Sequence, residues 1–120
     1  MARCDEGYRC EVCGDDVENI SDSDLYLRFV IGELEPERLH TSPERHIRCN
    51  PVLAQFIVHP MFTPVRCDGP CDKQLLDPEY VRRREILASK GFDRLRAIEA
   101  DGPEGDITTY PLPEVIDRYR

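Results

Sequence analysis

Leu25-Tyr26-Leu27-Arg28-Phe29-Val30-Ile31 is one of the two longest apolar runs in the chain, interrupted only by Arg28. Its β-branched and aromatic residues suit a pleated, buried surface, so it reads as a buried strand. Residues 32–43 then bring Gly32, Pro36, Pro43 and several charges, which suit a turn or irregular return. A strand followed by such a return predicts a β-hairpin.

Downstream, the signals are helical. Asn50-Pro51 is a start signal, because Asn accepts free backbone N–H groups and Pro at the first helical position gives up no hydrogen bond. That helix is predicted over residues 51–58, with Pro60 limiting it. Asp77-Pro78 repeats the signal for the longest helix, where Tyr80, Arg84, Leu87, Gly91, Leu95 and Ile98 recur on one face. Gly91 is expected to interrupt or end it. Residues 107–120 read as an extended arm. The expected fold is therefore α+β: knuckle, β-hairpin and short helix in residues 1–76, with a longer helix and tail in residues 77–120 packed on the same domain.

The chemistry sits in the six cysteines. In Tyr8-Arg9-Cys10-Glu11-Val12-Cys13-Gly14, the spacing lets two thiolates face one ion while backbone N–H groups point at sulfur. Gly14 permits the positive φ this turn needs. Zinc prefers four tetrahedral ligands, and His46-Ile47-Arg48-Cys49 supplies the best second pair. Cys67-Asp68-Gly69-Pro70-Cys71 is the rival pair, usable although its spacing is less typical of a knuckle. Each residue also has a plainer reading. Cys49 suits a buried thiol, His46 a hydrogen-bonded loop residue, and Cys67 and Cys71 structural thiols or a redox pair. Cys4 reads as unligated. Nothing in the spacing supports a second site built from Cys4, Cys67, Cys71 and His40 or His59.

The Cys10–Gly14 turn resembles the first knuckle of rubredoxins and of zinc ribbons. Knuckle, hairpin and then ligands at a helix start is similar to a treble-clef zinc finger over residues 8–58. The resemblance implies one structural Zn2+. Iron is the less favoured metal, since rubredoxins use a second Cys-x-x-Cys-Gly knuckle that is missing here.

Composition narrows the role further. A chain of 120 residues with 40% hydrophobic and 33% charged residues reads as globular. The net charge of −8 includes twelve acidic against six basic residues in 1–50, which disfavours general nucleic-acid binding. The N-terminus lacks an apolar signal core and no run is long enough to span a membrane, so a cytoplasmic location is expected, and with it reduced thiols. Asp15, Asp16, Glu18, Asp22 and Asp24 lack the EF-hand order and read as a solvated acidic face. Arg82, Arg83, Arg84, Lys90, Arg94 and Arg96 form a basic helix surface, also read as solvated. No catalytic signature is present. The expected function is a non-enzymatic zinc module docking to a protein assembly. The alternatives are rubredoxin-like iron electron transfer and a nucleic-acid-binding zinc module.

Overall fold

The computed structural model describes residues 9–39, 41–102 and 109–118. Cys4 and His40 lie outside the described residues, as do Tyr8 and residues 107, 108, 119 and 120 of the predicted arm. Among the described residues the chain is mostly helical and forms no sheet. Extended pairing is limited to isolated bridges, Arg9 with Asp16 and Ser23 with His46. The expected α+β fold and its hairpin are therefore overturned.

The decisive difference is Asp24–Val30, which forms helix α1 instead of a strand. Ser23 is extended, and its hydroxyl oxygen accepts the Tyr26 N–H at 3.0 Å, which caps the helix. Asp24 occupies the first turn, the end where the helix dipole favours negative charge, and pairs with Arg28 one turn later at 3.0 Å. Leu25, Tyr26, Leu27, Phe29 and Val30 are all buried. A helix covered on nearly every side shows no polar face, which is why its sequence resembles a buried strand.

Helix α2, Pro51–Ala54, is shorter than the predicted helix over 51–58. Pro51 does take the first position, but the Asn50 side chain is not a cap. Its amide donates to Asp24 Oδ1 at 2.9 Å. Helix α3, Pro78–Asp101, starts as expected, with Asp77 accepting from Tyr80 N–H at 3.0 Å. Gly91 neither interrupts nor ends it. A Cβ added there would lie 2.4 Å from Ile31 Cγ2 and 3.0 Å from Leu27 Cδ1, so glycine sets how closely α3 approaches α1. The buried face is Ala88, Gly91, Phe92, Leu95 and Ile98, whereas Tyr80 from the predicted face is exposed.

The described part of the tail is not a free arm. Pro113–Arg118 forms helix α4. Leu112 N–H donates to the Val30 carbonyl at 3.0 Å, and Arg94 donates to the carbonyls of Tyr110 and Thr109 at 2.8 and 2.9 Å. One apolar cluster gathers Leu25, Leu27, Phe29 and Ile57 with Phe92, Leu95, Tyr110 and Val115. Residues of both predicted segments thus contribute to it. Each fully buried side chain of this size contributes about 1.5–3 kcal/mol of transfer free energy. No helix among the described residues is long and apolar enough to cross a membrane.

Candidate metal centre

The first ligand turn begins at the bridge between Arg9 and Asp16 and folds tightly. Cys10 N–H donates to the Asp15 carbonyl, and Gly14 N–H to the Cys10 carbonyl, both at 2.9 Å. Gly14 adopts φ +83°, the left-handed conformation that side chains resist. The backbone N–H groups of Val12 and Cys13 then point at Cys10 Sγ, at 3.4 and 3.5 Å. A third comes from His46 at 3.4 Å. The sulfur is thus ringed by donors that stabilise its thiolate.

The second ligand segment is held by a polar network that the sequence reading did not single out. Asp24 is fully buried, not part of a solvated acidic face. Its carboxylate accepts from Arg28, Arg45 and Asn50 at 3.0, 2.9 and 2.9 Å. Its backbone N–H donates to the Arg45 carbonyl. Glu44, also buried, accepts from the Ser23 hydroxyl and from the N–H groups of Leu25 and Arg45. The Glu44 carbonyl receives Glu11 N–H at 2.9 Å, and Arg45 reaches the Glu11 carboxylate at 3.2 Å. Residues 44–50 are therefore pinned both to the capped start of α1 and to the knuckle. The available signal was Ser23-Asp24 directly before an apolar run, a helix-start pattern.

These two segments bring Cys10, Cys13, His46 and Cys49 together, with one ligand atom of each within 4.8 Å of the others. They lie close enough to hold a metal ion. His46 Nδ1 is 3.4 Å from Cys13 Sγ and 3.9 Å from Cys49 Sγ. A tetrahedral ion with sulfur at 2.3 Å and nitrogen near 2.0 Å needs ligand separations of about 3.5–3.8 Å, so the pocket matches it with small adjustments. His46 Nε2 lies 3.0 Å from the Asp16 carbonyl oxygen, which only accepts. Nε2 therefore carries a proton, which leaves Nδ1 as the ring nitrogen that a metal ion would use.

The electrostatics favour a cation. Burial works against the Cys10 thiolate, but the N–H groups of Cys13, His46 and Val12 outweigh it and pull the pKa down to about 6. Burial and the neighbouring Cys10 and Cys13 push Cys49 up to about 12. Burial opposes the His46 imidazolium, yet its contacts with the Cys10 sulfur and the Asp16 carbonyl raise its pKa. Three cysteines this close cannot all lose their protons unless a positive ion joins them. Metal binding here must release protons.

The rival ligands stand elsewhere. Cys67 and Cys71 are joined in a disulfide, with Cα atoms 5.8 Å apart, so neither offers a thiolate. His59 is engaged with Asp93 at 3.1 Å and accepts from Met61 N–H through its other nitrogen. The basic side chains of α3 are largely committed within the chain. Arg82 pairs with Glu79, Arg84 with Glu33 and Lys90 with Glu114, while Arg94 holds two carbonyls. A groove of about 730 Å³ runs along residues 55–67 and 72–74, and none of the four clustered ligands lines it. Compared with protein-family models, curated proteins and solved structures, the chain matches none of them.

Proposed function

We propose that the chain is a non-enzymatic zinc module, with one structural Zn2+ held by Cys10, Cys13, His46 and Cys49. The observation that carries this reading is the convergence of three sulfurs and one imidazole nitrogen within 4.8 Å. Three cysteines and a histidine suit zinc, and four protein ligands leave no open position for an activated water. The ligand-bearing ends resemble those of a treble-clef finger, with helix α1 between them where that fold places a hairpin.

Docking to a protein assembly is the role proposed for the module. Val12 at the tip of the knuckle, with Val58 and Met61 beside the groove, leaves apolar side chains in water. They support a protein partner more than a nucleic acid, since Arg82, Arg84 and Arg94 of α3 already have acidic or carbonyl partners. Purified protein should be colourless and carry zinc, and its Co2+ form should show the intense visible bands of tetrahedral thiolate coordination. A red, iron-loaded protein would move the reading to electron transfer. A labelled chain that sediments in cell extract only as a free monomer would contradict the docking role.

A further inference from the structure

The disulfide is a second chemical site, distinct from the metal cluster. Asp72 N–H donates to the Gly69 carbonyl at 3.0 Å, and Gly69 at φ +87° precedes Pro70, so the backbone itself turns the two cysteines together. The loop is also anchored without its covalent bond. Buried Gln55, just past α2, donates to the Cys71 carbonyl at 2.7 Å and accepts from Lys73 N–H at 2.9 Å. Lys73 Nζ returns to the Gln55 carbonyl at 2.9 Å and to Glu85 on α3 at 2.7 Å. A ring this short restricts the unfolded chain less than a long one would. The cross-link is thus not what holds the segment in place.

The two sulfur-bearing residues also differ in access. Cys67 is 5% exposed and sits on the wall of the groove, whereas Cys71 is partly exposed. Cys10, Cys13 and Cys49 are gathered in the metal cluster, where a bound ion would shield them from exchange. We propose that Cys67–Cys71 is a redox-active dithiol–disulfide pair that exchanges with thiols of the glutathione class while the fold and the metal cluster stay intact.

The exchange runs through a mixed disulfide. An external thiolate attacks Cys71 Sγ and forms a new S–S bond there. The Cys67–Cys71 bond breaks, and its electron pair leaves on Cys67 Sγ, which takes up a proton. A second external thiolate attacks the external sulfur of the mixed disulfide and releases Cys71, which is protonated in turn. Two external thiols become one disulfide, one protein disulfide becomes two thiols, and the two protons pass to Cys67 and Cys71.

The test uses the full zinc-loaded chain in glutathione buffers of varied ratio, quenched with maleimide and weighed intact. As reduced glutathione rises, the chain should gain two maleimides over the oxidised form, and it should lose them again when oxidised glutathione is restored. Zinc content and circular dichroism should not change, and amide shifts should be confined to residues 66–73, with Gln55 and Lys73 keeping their hydrogen bonds. The Cys67→Ser/Cys71→Ser double variant should fold, bind zinc and melt with the wild type. A pair that stays closed in excess reduced glutathione overturns the proposal in favour of a structural staple. So does a pair that opens only with zinc loss or unfolding, or a double variant that fails to fold.

Discussion

Between Arg9 and Cys49 the ligand-bearing segments are joined by backbone hydrogen bonds, ion pairs and sulfur contacts. Among α1, α3 and α4 the buried contacts are mainly apolar, with Leu27, Phe29, Leu95 and Val115 almost wholly removed from water. Of the ligand segments only Ile47 enters that cluster, while Cys10 and Val17 are buried outside it. The contrast teaches that the helical body stands on burial, whereas the ligand segments stand on a polar network that, on the proposed reading, the ion completes. Asp24 and Glu44 form the seam, since Asp24 opens α1 and accepts from Arg45 and Asn50, while Glu44, on the segment bearing His46, accepts from Ser23 and Leu25 at the start of α1.

Removing the ion should break the comparison most sharply. Chelation, or Cys10→Ser, removes a binding free energy on the order of 10 kcal/mol that is coupled to folding of the ligand segments. Hydrogen exchange should then show lost protection at Val12, Cys13 and His46, with Leu27 and Leu95 still protected. Uniform loss across all five amides would show that the body depends on the ion too.

Phe29→Ala attacks the other side. It should cost about 3–4 kcal/mol in urea unfolding, as expected for a buried aromatic ring, while the folded fraction keeps its metal stoichiometry. Asp24→Asn strikes the seam and leaves Arg45 and Arg28 without their shared carboxylate. Because both arginines are partly exposed to water, the expected cost is roughly 2 kcal/mol, below the range for a fully buried pair. It should weaken metal affinity as well as stability, and a loss of stability alone would remove the seam from the account.

Smaller effects sharpen the picture. Gly91→Ala places a methyl group against Ile31 and Leu27 and should destabilise by about 1–2 kcal/mol despite the better helix propensity of alanine. A more stable variant would mean that α1 yields easily. Burial raises the Glu44 pKa above its ordinary 4.5, so the charged form costs the folded state more than the open chain. Its contribution is most favourable below 4.5 and is lost as pH rises through the raised value. Glu44→Gln should therefore gain on the wild type in urea midpoint as pH rises above 4.5. A gap that does not change with pH would contradict the burial argument.

The two helix starts at Pro51 and Pro78 were legible because proline at the first helical position acts locally, with Asp77 also capping as expected whereas Asn50 does not. Leu25–Ile31 was not, because burial on all sides removes the polar face from which a helical period is read. Ser23 was the overlooked clue, since an N-cap distinguishes helix from strand where periodicity does not. Gly91 misled for a related reason: glycine lowers helix propensity, but here the approach of α1 decides. Within the metal cluster, Cys10 and Cys13 were legible from spacing and the following glycine. Choosing between His46/Cys49 and Cys67/Cys71 required knowing how far apart residues 13, 46 and 67 lie in space, which spacing along the chain does not encode. Asp24 looked like one acid among several because its partners Arg45 and Asn50 are remote in sequence.

The most direct test of the central claim is the metal content of protein purified without added metal, measured by inductively coupled plasma mass spectrometry beside the Cys13→Ser and His46→Ala variants. The account predicts about one zinc per wild-type chain and a large loss in both variants. Well-folded wild-type protein with neither zinc nor iron would contradict it, and the clustered thiols would need another explanation.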